Sequence, residues 1–472
     1  MDSRSKLLLA LLALLALLAA IPLAASRTSP APIQAQAAAP HGFFRTEKRQ
    51  GRWWLIDPDG KPFLSKGVAS VTFNGDRIRD TTRAPYGETA RARYGTAEAW
   101  RAATAERLVS WGVNTVGAWS DDGFTTIDVD GKHLACTPIL NLGAKYVSAR
   151  MNGRAWLEGI FPDVFDPDFA VLARQVAQRQ CAPRKDDPWL IGWFTDNELR
   201  WGPDWRGDGE LLELFLDLPE SAPGRRAAVA LLRERYADVA KLDDVWGTRF
   251  KSWEELEAAS AVRGSGAVRR KYLQNEAAQK KTSSVDRRRV AFAADCDAFL
   301  ARVAELYFQI TEDAIRAADP NHMVFGCRFA YLPTPPVIAA ASKHVAVVSF
   351  NAYGKDPRWL IGQYSAFGKP LLIGEFSFRS RDSGLPNKKG AGPLVATLID
   401  RAIGFEQYVY FALDQPDVVG YHWFQYADEP REGRPDGEDS NYGLVNMKDE
   451  PYEALTRKMT IVNAKADEFH AR

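Results

Sequence analysis

The sequence is poor in histidine, a residue on which many metal-dependent enzymes rely. Only six histidines occur among 472 residues, and they are scattered along the chain instead of clustering with carboxylates. The four cysteines match no zinc-binding spacing, so neither residue type supplies a recognisable set of metal ligands. The sequence therefore disfavours a metal-dependent hydrolase, and we expect no metal ion and no cofactor.

An excess of charge of either sign is also missing. The chain has 61 basic and 60 acidic residues, which leaves a net charge of +1. Proteins that bind nucleic acid or other anionic polymers usually carry a basic surplus. We therefore expect no nucleic-acid partner, and a neutral substrate fits this composition better than an anionic one.

Long hydrophobic runs are absent except at the N-terminus. Arg4 and Lys6 precede a Leu/Ala run at residues 7–20, which is followed by small residues. This pattern predicts a signal peptide at residues 1–25, and hence a secreted or periplasmic protein without stable membrane association. A single membrane anchor is the alternative, although the run is short for crossing a bilayer. Residues 26–40, rich in Ala, Pro, Ser and Gln, are interpreted as a linker.

Cysteine is scarce for a chain that is expected to be exported. The four cysteines are Cys136, Cys181, Cys296 and Cys327. An exported protein can form disulfides, and three pairings are possible if all four cysteines bond. Cys136 and Cys327 fall in predicted strands and could equally be buried thiols, so the sequence leaves the pairing open. It also leaves the oligomeric state open.

Two apolar stretches that end in a carboxylate are the most informative features of the chain. Residues 189–194 are followed by the polar tetrapeptide T-D-N-E, which ends at Glu198, and residues 370–374 lead directly into Glu375. Short apolar runs of this kind are typical of strands buried on both faces. In parallel α/β folds, ligands bind at the carboxyl ends of the strands. Two carboxylates at such ends would supply the proton donor and the nucleophile or base of glycoside hydrolysis.

Strand, loop and helix units repeat along most of the chain. Such units predict a parallel sheet with right-handed crossovers, and eight of them close a (β/α)8 TIM barrel. We expect an N-terminal hairpin before the first unit and a single catalytic domain at residues 41–472. The predicted barrel strands are residues 63–71, 113–119, 136–142, 189–194, 323–329, 345–350, 370–376 and 419–426. The main predicted helices are residues 97–111, 167–180, 291–318 and 452–467.

The connection between strands four and five is too long for one crossover. It contains several helical runs, so we predict a helical insertion at about residues 200–289. Three of these runs are predicted at residues 211–217, 224–241 and 253–259. The Arg/Lys-rich stretch at residues 269–289 is interpreted as a solvated helix face in preference to an anion site.

The two carboxylate motifs resemble those of a known group of enzymes. Asn197-Glu198 and Glu375 are similar to the acid/base and nucleophile signatures on strands four and seven of the retaining glycoside hydrolases built on (β/α)8 barrels. Three further segments are most similar to the agarase-like (β-agarase) branch of that clan. They are W-L-I-D-P-D-G-K-P-F-L-S-K-G-V at residues 54–68, F-P-D-V-F-D-P-D-F at 161–169 and N-Y-G-L-V at 441–445. The resemblance extends from about Gly42 to the C-terminus.

The resemblance implies roles for the central residues. Glu198 would be the proton donor, in preference to Asp196, because the acid/base residue of the clan directly follows an asparagine. Asn197 would bind the sugar hydroxyl next to the reacting carbon, and Glu375 would be the nucleophile. Tyr353 resembles the strand-six tyrosine that hydrogen-bonds the nucleophile, although a core tyrosine with another partner is the alternative.

Further candidates for substrate binding lie at or near the predicted strand ends. Arg328 could hold Glu375 ionised by its charge, or the two could form a structural ion pair. His422 is a lone histidine on an apolar strand, so it could bind substrate or be structural. The remaining candidates are Asn351, Trp119, Trp201, Trp205 and Trp423. Each tryptophan could stack on a sugar ring or pack in the core.

The sequence thus predicts a retaining glycoside hydrolase that cleaves a neutral β-linked galactan, such as agarose, by double displacement. A β-galactosidase, β-mannanase or β-glucanase on the same barrel is the first alternative, because the two glutamate motifs do not encode the sugar or endo versus exo action. A carbohydrate-binding protein without catalysis is the second. The presence of both carboxylates argues against it.

Overall fold

The centre of the fold is a set of short, buried strands. The structure, a computed structural model, describes residues 42–264 and 287–472. In chain order the strands of these residues are β1 (Arg45–Arg49), β2 (Arg52–Ile56), β3 (Pro62–Phe63), β4 (Ser65–Ala69), β5 (Thr115–Val116), β6 (Asp128–Val129), β7 (Lys132–His133), β8 (Ala135–Cys136), β9 (Gly192–Asn197), β10 (Met323–Arg328), β11 (Val348–Asn351), β12 (Leu371–Phe376), β13 (Arg379–Ser380), β14 (Leu394–Val395) and β15 (Val418–Phe424).

Helices connect and surround these strands. Within the same residues they are α1 (Pro85–Tyr94), α2 (Ala97–Ser110), α3 (Leu142–Arg150), α4 (Ala155–Glu158), α5 (Pro167–Gln180), α6 (Leu211–Leu216), α7 (Pro223–Arg235), α8 (Val239–Trp246), α9 (Trp253–Ala258), α10 (Arg287–Ala318), α11 (Pro335–His344), α12 (Arg358–Ser365), α13 (Leu398–Leu413) and α14 (Glu453–His470). A 3₁₀ helix covers Ala182–Arg184.

The main sheet is parallel throughout. Its strand order is β11-β12-β15-β4-β5-β8, and each neighbouring pair runs in the same direction. Strands β9 and β10 form a second parallel pair. Isolated parallel bridges join the two sheets: Cys136 pairs with Leu190, and Phe329 pairs with Phe350. The predicted α/β fold with a parallel sheet is therefore confirmed.

The N-terminal hairpin covers the amino ends of the parallel strands. Strands β1, β2 and β3 form an antiparallel sheet, with a turn between Asp57 and Lys61. Phe44 and Leu55 of this region belong to one apolar cluster with residues at or near the starts of the parallel strands. Those residues are Ala135, Ile191, Met323, Ala346, Leu372 and Val419. The hairpin predicted from the sequence is present, and it leaves the carboxyl ends of the strands free to form a site.

Helix α5 illustrates why the helix predictions succeeded. Its N-terminus is capped by Asp166, whose side chain accepts a hydrogen bond from Asp168 N, and proline occupies the first helical position. The buried residues Phe169, Ala173, Val176 and Ala177 repeat at helical spacing, so they form one face. The predicted range of 167–180 matches the observed helix.

The helical insertion after strand four is also present in the described residues. It includes α6, α7, α8 and α9, and α10 then leads to β10. The predicted helix at 224–241 was wrong in one respect, because it is divided into α7 and α8. Asp238 caps the second helix by accepting a hydrogen bond from Lys241 N, which starts a new helix in the predicted run. Of the basic stretch at 269–289, residues 269–286 lie outside the described residues.

All four cysteines are free and buried. The structure therefore contains buried thiols and not the disulfides that the sequence also allowed. Burial raises the pKa of Cys136 to about 12, so this thiol stays protonated near neutral pH.

The predicted signal peptide at residues 1–25 and linker at 26–40 lie outside the described residues. Across residues 42–264 and 287–472, no helix combines the length and apolarity that a membrane span requires.

Candidate active site

A cavity of about 910 Å³ opens at the carboxyl ends of the parallel strands. Residues at or just after eight different strands line it. They are Ser70, Trp119, Asn141, Glu198, Ala330, Tyr353, Glu375 and Gln425. Both carboxylates that the sequence predicted as catalytic therefore face the same space.

Glu375 lies at the end of β12 in a surrounding that complements a negative charge. Its Oε1 is 2.7 Å from Nη2 of the Arg328 guanidinium, which is fully buried. The Tyr353 hydroxyl donates to Oε2 at 2.7 Å, and the Trp119 indole N–H donates to Oε1 at 3.3 Å. These contacts hold the carboxylate in one orientation at the cavity wall.

Glu198 lies directly after β9 and meets neutral donors instead of a guanidinium. The Trp156 indole N–H donates to Oε2 at 2.7 Å, and the Asn351 amide donates to Oε1 at 2.8 Å. Burial raises the pKa of Glu198, and the charge of neighbouring Glu375 raises it further. Both effects shift Glu198 toward the protonated form relative to a free glutamate, while Glu375 faces a cation. An acid and an anionic carboxylate on one cavity can perform proton donation and nucleophilic attack.

Asp196, the second carboxylate at the end of β9, makes contacts that are structural. Its side chain accepts hydrogen bonds from the backbone N–H groups of Gly143 at 2.7 Å and Ala144 at 3.1 Å, at the start of α3. The Tyr307 hydroxyl donates to it at 2.7 Å. Burial raises the pKa of Asp196 to about 6. The residue is fully buried and does not line the cavity, so it anchors α3 to β9.

The structure brings several other predicted residues to this site. Asn197 lines the cavity, and its Oδ1 accepts a hydrogen bond from Asn351 at 3.1 Å. Asn351 itself is buried and orients both Asn197 and Glu198. Tyr353 and Trp119 line the cavity as well as contacting Glu375. Of the two alternatives for Tyr353, the structure contains the one in which its hydroxyl bonds to Glu375.

Three predicted substrate-binding residues lie in the core and not at the cavity. His422 is fully buried beside Ser65, 2.8 Å from its hydroxyl, and burial lowers the pKa of His422 to about 3. Trp423 is fully buried and donates to the Tyr442 carbonyl at 2.8 Å. Trp201 stacks on Phe308 with 3% of its surface exposed. We therefore correct the three assignments from substrate contacts to structural packing.

Sequence reasoning missed Trp156, the residue that contacts the proposed proton donor. It belongs to the short helix α4, in the connection between predicted strand three and helix 167–180, where no motif marks it. Trp205, one of the stacking candidates, does line the cavity and is 52% exposed. A polar part of the cavity lining was also missed. It contains Asp76, Gln425, Arg434, Asp436 and Glu438.

Within residues 42–264 and 287–472, no group of three or more His, Cys, Asp or Glu side chains is arranged to hold a metal ion.

Curated relatives of the chain are β-agarases. β-Agarase B of Vibrio sp. (strain JT0107) is 28% identical over 484 residues, a match covering 88% of this chain and 47% of that protein. β-Agarase A of the same strain is 28% identical over 501 residues, covering 89% of this chain and 45% of that protein. The chain therefore spans about half the length of the curated relatives that it matches. No protein-family model matches it.

Solved structures of agarases are also similar to this chain. An exo-β-agarase superposes with a TM-score of 0.72 at 25% identity, covering 91% of this chain and 66% of that one. The agarase AgWH50C has a TM-score of 0.72 at 26% identity, covering 93% of this chain and 68% of that one. The resemblance to agarase-like glycoside hydrolases is thus confirmed in sequence and in fold.

Proposed function

We propose that this chain is a retaining glycoside hydrolase that cleaves β-linkages of agarose-type galactans by double displacement. The observation that carries the proposal is the contrast between two carboxyls on one cavity. Glu375 is paired with a buried guanidinium, whereas Glu198 is buried between neutral donors and has a raised pKa. The likeness to β-agarases supports a galactan as the substrate.

In the first step, a carboxylate oxygen of Glu375 attacks the anomeric carbon. The bond to the glycosidic oxygen breaks, and that oxygen takes the proton of Glu198. Arg328, Tyr353 and Trp119 hold Glu375 in the attacking orientation. The products of this step are the released sugar and an ester between Glu375 and the anomeric carbon.

In the second step, water replaces Glu375 at the anomeric carbon. Formation of the ester removes the negative charge of Glu375, which is one of the two main causes of the raised pKa of Glu198. The pKa of Glu198 therefore falls, and its carboxylate can take a proton from the attacking water. Two displacements at one carbon leave the anomeric configuration unchanged.

The same proposal includes the architecture and location of the enzyme. We propose a closed (β/α)8 barrel within a single domain at residues 41–472, with the helical insertion at about 200–289. The parallel pairing of β15 with β4, and the bridges between the two sheets, support closure. Export through the signal-like segment at residues 1–25 rests on the sequence pattern alone.

The substrate assignment is tested by a reducing-end assay over agarose, porphyran, mannan, β-glucan and galactan. We expect clear activity on agarose, and ¹H NMR of the first-formed product should show retained anomeric configuration. Activity confined to another polymer would assign one of the alternative hydrolases on the same carboxylate pair. A wild-type protein that binds agarose without cleaving any polymer would instead be a binding protein.

The pH dependence tests the assignment of the proton donor. Because Glu198 must be protonated for the first step, kcat/KM on agarose oligosaccharides should fall as the pH rises through its raised pKa. A 2,4-dinitrophenyl glycoside of the preferred sugar should lack this alkaline decline, since its leaving group needs no proton. An identical decline with both substrates would contradict the role of Glu198.

A further inference from the structure

One arginine outside the cavity lining, Arg206, joins the proposed proton donor to two tryptophans that line the cavity, Trp156 and Trp205. Arg206 Nη1 donates to the carbonyl oxygens of Glu198 and Trp156, each at 2.9 Å. Trp156 in turn donates its indole N–H to Glu198 Oε2 at 2.7 Å. These three hydrogen bonds form a closed ring that holds both the backbone and the carboxyl of Glu198.

The backbone of Glu198 needs such support. Its φ of 49° lies in the left-handed region, which is unfavourable for a non-glycine residue because the Cβ crowds the following carbonyl oxygen. Its N–H donates to the Arg328 carbonyl at 2.8 Å, and its carbonyl accepts from Arg206. Hydrogen bonds on both sides of the residue therefore hold an unfavourable conformation that points the carboxyl at the cavity.

The other edge of the Arg206 guanidinium is fixed by Asp204. Nε and Nη2 donate to Asp204 Oδ2 at 2.9 and 2.5 Å, and the side chains of both residues are almost fully buried. A planar guanidinium can donate in both directions at once, whereas a lysine ammonium cannot reproduce this geometry. Asp204 thus fixes the guanidinium of Arg206, and the guanidinium in turn fixes the backbone of Glu198.

The same guanidinium also supports an exposed cavity residue. It lies 4.4 Å from the centroid of the Trp205 ring, a cation–π distance. Trp205 is 52% exposed and lines the cavity together with Trp156, whereas Arg206 does not line it. Arg206 therefore acts through its neighbours and not by touching substrate.

We propose that Arg206 is a positioning residue that fixes Glu198, Trp156 and Trp205 as one rigid unit on the leaving-group side of the cavity. The proton donor faces the glycosidic oxygen, so the wall beside it contacts the departing sugar. This inference rests on the proposed function in its assignment of Glu198 as the proton donor.

The first test is the leaving-group dependence of Arg206→Lys. Misplacing a proton donor by about 1 Å can cost roughly 100-fold in rate, so kcat/KM on agarose oligosaccharides should fall about 10- to 100-fold. Formation of the ester from the 2,4-dinitrophenyl glycoside needs no proton donation, so kcat/KM for this substrate should fall by less than about 3-fold. Equal losses on both substrates would indicate general damage and overturn the proposal.

The second test does not depend on activity. The protein is labelled with 5-fluorotryptophan, and the ¹⁹F resonance of Trp156 is identified by its loss in Trp156→Phe. Its titration should follow Glu198 and should vanish in Glu198→Gln. Because the Trp156 hydrogen bond lowers the pKa of Glu198, Arg206→Lys should move the titration midpoint to higher pH. An unchanged midpoint would overturn the proposal.

Arg200→Lys is the matched control. Arg200 is buried in the same segment, lies 3.8 Å from the same Asp204, and donates to the carbonyls of Gly202 and Gly209. Its substitution should lower the melting temperature without moving the ¹⁹F midpoint or changing the leaving-group dependence. A wild-type protein inactive on every substrate would refute the proposed function, whereas the ¹⁹F titration would still decide whether Arg206 positions Glu198.

Discussion

Glu375→Gln is expected to abolish hydrolysis of every glycoside that the wild-type protein cleaves, activated aryl glycosides included. The amide has the size of the carboxylate but cannot form the ester with the anomeric carbon. Loss of a covalent nucleophile typically lowers kcat by roughly 10⁴- to 10⁶-fold. Steady-state kinetics on agarose oligosaccharides and on a dinitrophenyl glycoside measure the effect. Residual activity on the activated substrate above about 1% of wild type would contradict the nucleophile assignment.

Glutamine is preferred to alanine at this position because Arg328 is buried against the carboxylate. Both substitutions remove the counter-charge of this buried cation, which costs roughly 3–5 kcal/mol. The side-chain carbonyl of glutamine can still accept a hydrogen bond from the guanidinium, whereas truncation to alanine removes that acceptor as well. Asp449→Asn is the matched control, since Asp449 is also buried and forms an ion pair with Arg107 at 2.9 Å. It should lower the melting temperature while kcat stays near the wild-type value. Glu375→Gln should in addition still bind agarose oligosaccharides in isothermal titration calorimetry.

The two carboxylates were predictable because each belongs to a local pattern. An apolar run followed by a carboxylate reports a strand end, and parallel strands bring their carboxyl ends together whatever lies between them in sequence. Glu198 and Glu375 therefore line one cavity although 176 residues separate them along the chain. Asn197 and Tyr353 also lie at or just after strand ends, so the same reasoning predicted their place at the site.

His422 shows which positions this reasoning from strand ends cannot predict. His422 was predicted near the top of strand eight, but it pairs with Gly67 inside the ladder, and the first residue after that strand to line the cavity is Gln425. Gly67 has no side chain, so the imidazole fills its space; a Cβ there would lie 2.2 Å from His422 Cδ2. Such complementarity between distant strands leaves no signal in either segment alone.

The fourth predicted barrel strand, which is β9 in the structure, shows a related limit of the sequence prediction. The apolar run predicted an end at residue 194, yet β9 continues to Asn197 through Thr195 and Asp196, which are fully buried. Their polar groups are satisfied by Tyr307 and the start of α3. Trp156, which contacts Glu198, likewise belongs to a connecting segment, the helix α4. Contacts made by connecting segments depend on the tertiary fold, so periodicity within one strand could not predict them.

Asp196→Asn separates the chemical role of Glu198 from the packing around it. Asp196 lies two residues away and accepts hydrogen bonds from the start of α3 without lining the cavity. Its substitution should reduce the melting temperature and affect all substrates alike. A loss confined to substrates with poor leaving groups is expected only at Glu198.

Glu198→Ala is expected to lower kcat/KM on agarose oligosaccharides by roughly 10²- to 10⁴-fold, the range that general acid catalysis supplies. The first step should survive for a dinitrophenyl glycoside, because its leaving group departs without a proton. The ester on Glu375 should then accumulate, since water lacks a base, and rapid-mixing kinetics should show a burst of dinitrophenolate.

Azide tests the role of Glu198 as a base, because azide is an anionic nucleophile that needs no base and is small enough for the space left by the deleted carboxyl. Added azide should restore steady-state turnover of Glu198→Ala and release a glycosyl azide with the configuration of the substrate. Product configuration is read by ¹H NMR, and Glu198→Gln, which fills the space, should be rescued less. If azide instead restored Glu375→Ala with retained configuration and left Glu198→Ala unchanged, the two glutamates would have exchanged roles. Inverted products from the wild-type protein would exclude the covalent ester altogether.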